Sequence, residues 1–468
     1  MNDKLKESCG VFGIYRPETD DSLGRTIYYG LYALQHRGQE SAGIAVTSGE
    51  GIEYYKEMGL VSEVFSEEKV DKLSGNLGIG HVRYSTSESN TLINAQPLVV
   101  RYKNGFLAVA HNGNLINAPE LRSELEESGA AFQTEIDSEV VAFLLAREHT
   151  ANIIDAVKKC AKKIKGSYAL VIMTEDTLIG MRDPNGIRPL CLGRQNGSYI
   201  LASESCALDT IDAKFVRDIE PGEIVIINKD GIKSIKANGQ KCRSSLCVFE
   251  FVYFARPDST IDGSNIHMAR WKAGKILAQE HPVEADLVIG VPDSGTVSAM
   301  GYAEASKIPF GIGLIKNRYV GRTFIKATQS SRIIGVKIKL NAIKEVVRGK
   351  RLVMVDDSIV RGTTSGMIVN VLKEAGAKEV HVRVSSPPII HSCYFGIDTS
   401  TRKELIGAQR KIEEIRQHIG ADSLGYLSLD GLVNATGLSS ERFCSGCFSG
   451  TYPVEVPMEG KQYLYEKR

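Results

Sequence analysis

A chain of 468 residues exceeds what one hydrophobic core ordinarily serves, so two or three domains are expected. With 43% apolar and 24% charged residues, it carries enough material for full cores and no signature of disorder. Its 57 basic residues balance 56 acidic ones, which excludes a whole-chain nucleic-acid binder but leaves room for a local basic pocket that takes a phosphorylated small molecule.

The first eight residues, ending Lys6-Glu7-Ser8, are charged and lack the apolar stretch of a secretory signal. No apolar run reaches the length of about 18 residues that a membrane span needs, so no membrane partner and a cytoplasmic location are expected. From residue 9 to about 235, short segments rich in Val, Ile, Tyr and Ala are broken by Gly and Asn turns. Strands are predicted at 9–14, 42–46, 77–84, 106–111, 168–173 and 223–227, and helical spacing predicts helices at 23–35 and 137–148. Clustered strands with few helices predict an α+β layered domain over 9–235. The polar, glycine-bearing stretch 228–241 is the natural junction.

Beyond it the rhythm changes. Near-continuous apolar strands at 287–291, 311–315, 351–355 and 379–384 alternate with helical patterns, as a parallel sheet buried on both faces requires. Residues 236–468 therefore read as a doubly wound α/β domain, with a loop-like tail after Thr436. The sharpest local signal lies at 351–366, where an apolar strand runs into Asp356-Asp357 and then Arg361-Gly362-Thr363-Thr364-Ser365-Gly366 before a helix predicted to begin near Met367. Backbone N–H groups at the end of a parallel strand and the start of a helix make an anion cradle, to which Thr363, Thr364 and Ser365 add hydroxyl donors. The two acids suit ribose hydroxyls or a magnesium ion shared with a substrate. A second strand end, Val291-Pro292-Asp293-Ser294-Gly295, could approach a pyrophosphate closely. The basic stretch 316–326, with Lys316 and Arg322, reads as a lid whose cations neutralise it.

In the first half, Cys9 opens an apolar strand. Three segments stand with it: Gly80-His81-Val82-Arg83-Tyr84-Ser85-Thr86, His111-Asn112-Gly113-Asn114 and Asp137-Ser138-Glu139. Together they form a kit for acyl transfer from glutamine. A thiolate attacks the side-chain amide, and a terminal α-amino group, with a reference pKa of about 7.7–8.0, can act as its base. Asn112 and the Gly113 N–H supply an oxyanion hole. Arg83 matches an α-carboxylate by fork geometry and Asp137 an α-ammonium by charge.

The string 353–365 resembles the phosphoribosyl pyrophosphate signature of type I phosphoribosyltransferases. The Cys9, Arg83, Asn112 and Asp137 segments, with Leu34-Gln35-His36-Arg37-Gly38, resemble the amino-terminal-nucleophile (Ntn) glutaminase domain of class II amidotransferases. Together, in this order, they are similar to the amidophosphoribosyltransferase family over nearly the full chain. The resemblance implies a four-layer αββα glutaminase domain followed by a phosphoribosyltransferase domain. It implies Cys9 as nucleophile after removal of a 1–8 propeptide, Asn112 and Gly113 as oxyanion hole, and Arg37, Arg83, Thr86 and Asp137 around the glutamine. It also places Asp356, Asp357, Arg361, Gly362, Thr363, Thr364, Ser365, Asp293, Lys316 and Arg322 around phosphoribosyl pyrophosphate, with Mg2+ near Ser294, Asp356 and Asp357. Ammonia would then displace pyrophosphate to give 5-phosphoribosylamine, the first step of purine synthesis. Purine nucleotides as feedback inhibitors and a homotetramer are further implications.

Nine cysteines, an odd number, point to metal binding or catalysis sooner than to disulfides. One branch of the family carries a [4Fe–4S] cluster with cysteines in the contexts of Cys247, Cys393, Cys444 and Cys447, and zinc is the competing metal. Cys160, Cys191 and Cys206 read as buried thiols, and Cys242 stays open as a ligand. Two other readings make different demands. A glutamine-dependent sugar-phosphate aminotransferase would have an isomerase second half, and a nucleotide-sensing DNA regulator would have a basic arm or helix-turn-helix.

Overall fold

The computed structural model describes residues 9–84, 91–236, 242–317, 340–397 and 402–456. In the first half, β1 (Gly10–Asp20) lies between Ser198–Ala202 and β2 (Gly75–Arg83) in a seven-stranded antiparallel sheet. A six-stranded antiparallel sheet contains the adjacent strands β3 (Gly105–Leu115) and β4 (Gly166–Met173). Side chains alternate across each strand, and the sequence uses that period to feed two cores at once. Along β1, Phe12 and Ile14 pack with the helix Leu23–Ala33, while Val11 and Tyr15 enter the layer between the sheets. Along β3, Leu107 and Val109 pack against α1 (Asp137–Glu148), while Ala108 and Ala110 face the other sheet. The result is the αββα sandwich. Its sheets approach closely at Gly13, where an added Cβ would stand 2.6 Å from Val171 Cγ1.

The last strand of this half, Gly231–Lys236, still pairs with Glu223–Asn228, so the first domain extends into the predicted junction. The second half is built on a four-stranded parallel sheet ordered β5 (Leu287–Gly290), β6 (Arg351–Asp356), β7 (Glu379–Val384) and β8 (Ser423–Tyr426). Helices α2 (Ile266–Glu280), α3 (Thr296–Ser306) and α4 (Thr363–Glu374) accompany it. Val353 and Val355 of β6 enter one apolar core and Leu352 and Met354 the other, which is why 352–355 is apolar at every position.

The predicted strand at 311–315 does not join the parallel sheet, and only its end is extended in a strand. Only Phe310 bridges to Val288, and Leu314–Lys316 then leaves to pair antiparallel with Leu340–Ala342. Pro309 has no N–H for a ladder, and Gly311 and Gly313 are pressed against Leu287 and Ile289 with no room for side chains of their own. The tail is also more ordered than a loop, since Phe443–Cys444 pairs in parallel with Leu246–Cys247. Among the described residues no helix is long and apolar enough to cross a membrane.

Candidate active site

Cys9 immediately precedes β1, and the pairing of Gly10 with Val82 sets it beside the end of β2. Its Sγ donates to the Tyr84 carbonyl at 3.5 Å. Burial pushes the thiol up, the Tyr84 contact and Arg83 pull it down, and Glu40 and Asp137 push it up again. Arg83 and Asp137 thus both lie within electrostatic reach of the sulfur. Among the described residues no basic side chain hydrogen-bonds this thiol, so its proton has no acceptor stronger than a carbonyl.

Asn112 sits on β3 opposite Ala169, with no exposed surface, and neither its Nδ2 nor its Oδ1 finds a partner among the described residues. A buried amide without hydrogen bonds costs about 1–3 kcal/mol per group. It is tolerable where a substrate completes the bonding, as an oxyanion would. Gly113 has φ +149°, and an added Cβ would lie 2.1 Å from the Ser167 carbonyl oxygen, so only glycine fits.

Asp137 is the first residue of α1. Its Oδ2 accepts from the Leu115 N–H at 2.8 Å, and its Oδ1 lies 3.3 Å from His111 Nδ1. Burial works to raise its pKa, but His111 and the backbone donors outweigh it and hold the carboxyl below the ordinary range. An anion kept charged in a buried site suits an ammonium partner. Arg37 is a different case. The resemblance sets it near glutamine; its guanidinium is fully buried between Glu204 and Glu250 and donates from Nε to the Cys9 carbonyl at 3.1 Å. Two buried carboxylates already neutralise it. Thr86 lies outside the described residues.

In the second half, β6 ends in Asp356 and Asp357, both 1% exposed, and the Asp357 N–H donates to Asp356 Oδ1 at 2.9 Å. Gly362, at φ +81°, turns the chain directly into α4, which begins at Thr363, a turn earlier than predicted. Thr363, Thr364 and Ser365 therefore form the first turn of a helix, where their N–H groups have no intrahelical partners and can face an anion. Arg361 reaches Glu404 at 3.2 Å. The loop after β5 closes on the same place, because a Cβ on Gly295 would meet the Val355 carbonyl at 2.4 Å and Asp356 Cα at 3.1 Å. That contact sets the Asp293–Gly295 loop against the end of β6. Lys316 pairs with Asp293 at 2.9 Å, both exposed, at the mouth of the site. Arg322 lies outside the described residues.

Two domain families match this chain, a glutamine amidotransferase domain over residues 81–210 and a phosphoribosyl transferase domain over residues 264–386. The amidophosphoribosyltransferase of Bacillus subtilis (strain 168) is 52% identical over 457 residues, covering 97% of this chain and 95% of that protein. The chain belongs to the amidophosphoribosyltransferase family. The Methanocaldococcus jannaschii member is also 52% identical, over 96% of this chain and 98% of its own length. Two solved structures share the fold from end to end. The glutamine phosphoribosylpyrophosphate amidotransferase of B. subtilis, complexed with ADP and GMP, has a TM-score of 0.91 at 51% identity, over 96% of this chain and 98% of that one. A structure described as the allosteric regulatory enzyme of purine biosynthesis has a TM-score of 0.92 at 50% identity, over 98% and 99%.

Cys247, Cys393 and the Cys444–Cys447 pair, from three separate parts of the sequence, become neighbours in the fold. Cys247 and Cys444 are partners in the parallel pair that holds the tail, and the Cys447 carbonyl accepts from Ile390 and His391, just before Cys393. Burial pushes all four thiols up. At Cys447 the charges of Cys247, Cys393 and Cys444 push further, and Cys444 reaches about 12. Among the described residues no three Cys, His, Asp or Glu side chains are gathered as ligands of one metal ion. Cys242 instead packs its sulfur over Gly222.

Sequence reasoning missed Glu204, Glu250, Arg188 and Ser167. Their only signal was to be charged or polar residues embedded in apolar surroundings, and their partners come from distant segments.

Proposed function

We propose that this chain hydrolyses glutamine at Cys9 and delivers the ammonia to C1 of 5-phosphoribosyl 1-pyrophosphate. The products are 5-phosphoribosylamine, pyrophosphate and glutamate, and the reaction opens purine synthesis. The observation that carries this reading is the direct docking of the oxyanion loop on the second domain. Asn114 Nδ2 donates to the Tyr394 carbonyl at 2.9 Å, Ser167 Oγ to the Phe395 carbonyl at 3.0 Å, and a Cβ on Gly396 would stand 2.9 Å from the Gly113 carbonyl oxygen. An oxyanion loop built against the acceptor domain suits a nucleophile whose product must pass straight across.

Arg83 and Asp137 would hold the two ends of the glutamine α-carbon. The Cys9 sulfur adds to the side-chain carbonyl while Asn112 and the Gly113 N–H take the developing oxyanion. Ammonia leaves, and water then releases glutamate from the thioester. This thiol is raised by burial and, among the described residues, no basic side chain hydrogen-bonds it, so cleavage after Ser8 would supply a base as the new α-amino group. In the second half, Asp356 and Asp357 would take the ribose hydroxyls, and the first turn of α4 the 5-phosphate. The pocket's acids and the Ser294 loop fit a magnesium ion held mainly by the substrate's pyrophosphate, which such an ion would neutralise as it leaves.

The four converging thiols fit a [4Fe–4S] cluster. Cys247, Cys393, Cys444 and Cys447 would hold it, and its positive charge would offset the burial and mutual repulsion of the four thiolates. Its role would be to pin the tail to the second domain. Purine nucleotides as inhibitors and a homotetrameric assembly complete the proposal. The ADP and GMP complex of the B. subtilis relative supports the first of these.

The reaction is tested by following glutamate and pyrophosphate together in purified protein given both substrates, where the two should appear one for one. Amino-terminal sequencing should find Cys9 first, and Cys9→Ala should lose glutamine-dependent but not ammonia-dependent synthesis. An active protein that still starts at Met1 overturns the propeptide. Protein purified without oxygen should be brown, with about four irons per chain, whereas stoichiometric zinc in colourless protein rejects the cluster.

A further inference from the structure

We infer that Glu250, a residue of the second half, is a positioning residue for the Cys9 nucleophile; this rests on the glutaminase reading above. Glu250 opens a π-helical turn, Glu250–Phe254, and its side chain is completely buried. Both of its oxygens meet Arg37, with Nη2 donating to Oε1 at 2.8 Å and Nη1 to Oε2 at 3.0 Å, a bidentate pair across the domain boundary. The remaining edge of the same guanidinium donates from Nε to the Cys9 carbonyl at 3.1 Å. A guanidinium is rigid and planar, so fixing two of its nitrogens fixes where the third one points. Glu250 thereby sets the peptide plane of the residue that carries the attacking sulfur.

The same carboxylate also braces the oxyanion wall. Arg188 donates from Nη1 to Glu250 Oε1 at 3.2 Å and from Nε to the Phe395 carbonyl at 3.1 Å. That carbonyl also accepts from Ser167 Oγ, whose hydroxyl in turn accepts from the Asn114 N–H at 3.3 Å, one residue beyond Gly113. The turn that bears Glu250 is itself clamped, since Arg270 Nε donates to the Phe251 carbonyl and Nη2 to the Ala255 carbonyl, both at 2.8 Å. A carboxylate needed only for domain adhesion could sit anywhere on the interface. This one is held rigidly, and its two arginines run to the two catalytic elements of the other domain.

The test uses the full-length mature protein and two variants. Glu250→Gln keeps the volume but removes the charge and one acceptor, and Glu250→Asp keeps the charge but shortens its reach. Glutamine-dependent and ammonia-dependent synthesis are measured side by side, with the KM for glutamine and the rate at which a diazoketone analogue of glutamine alkylates Cys9. Misplacing a nucleophile by a fraction of an ångström to an ångström lowers turnover by about 10- to 100-fold. Glu250→Gln should therefore lose that much of kcat with glutamine and slow the alkylation in parallel, with KM and the ammonia-dependent rate near those of the parent. Should Glu250→Gln fail to fold, Glu250→Asp is read in the same way, with a smaller loss. An unchanged kcat with glutamine, or equal loss of both rates, overturns the inference. A parent protein without glutamine-dependent activity would instead overturn the reading beneath it.

Discussion

Replacing Asn112 by alanine separates catalysis from stability, because its amide is buried and both polar atoms lack partners among the described residues. In the resting protein that unsatisfied amide costs about 1–3 kcal/mol per polar group. Truncation to alanine removes the cost and leaves a small void worth about 1 kcal/mol. Asn112→Ala should therefore be more stable than the parent by at least about 1 kcal/mol, a rise of at least about 2–4 °C in thermal midpoint for a domain of this size. Its glutaminase turnover should fall by about 10²–10³, the loss of one oxyanion donor, or about 2.7–4 kcal/mol of barrier. Calorimetry and glutamate release on the same preparation read both quantities. A midpoint lowered by more than about 4 °C would mean that Asn112 makes structural bonds in the resting state. Turnover retained within about threefold would mean that the oxyanion forms elsewhere.

Gly113→Ala should do the opposite and destabilise. Its Cβ would stand 2.1 Å from the Ser167 carbonyl at φ +149°, so a loss of about 1–3 kcal/mol is expected, and a parent-like thermal midpoint would contradict the packing. Asp357→Asn should raise the KM for phosphoribosyl pyrophosphate about 10- to 100-fold, as expected for a lost charged hydrogen bond, while glutamine hydrolysis measured alone persists. An unchanged KM would remove Asp357 from the ribose site. Burial, reinforced by Asp262, pushes the Asp218 carboxyl up to about 7, against about 3.9 in an unfolded chain. The folded state then binds the extra proton between about pH 4 and 7, so Asp218 withdraws stability as pH rises through that window. Asp218→Asn should flatten the pH dependence of the thermal midpoint and raise the midpoint at pH 8. The same slope in both proteins would refute the shift.

Several site elements were legible because they are local. The run from β6 through Asp356 and Asp357 into α4 is one contiguous segment, so strand, acids and helix start can be read in a single pass. The helix-start error there has a definite cause, since Gly362 adopts a left-handed conformation that lets the helix begin at once at Thr363. The strand expected in the parallel sheet at 311–315 shows the reverse failure, in which apolar residues beside Pro309, Gly311 and Gly313 mimic a buried strand. The real fourth strand, Ser423–Tyr426, is too short and too polar to announce itself.

By itself, the sequence determined the chemistry available. It held a cysteine next to an apolar strand, an amide and a glycine for an oxyanion, and a phosphate-binding strand end. The period-2 alternation and the change to continuous apolar strands set the two domain classes. Only the tertiary structure decided how these parts are coupled, because coupling depends on contacts between residues far apart in the chain. Arg37 meets Glu250 across 213 positions and Ser167 meets the Phe395 carbonyl across 228. No local pattern records that a buried charge in one domain is neutralised by the other. It is this long-range pairing, enforced by the high cost of leaving either charge alone in the interior, that holds the Arg37 guanidinium beside the Cys9 carbonyl.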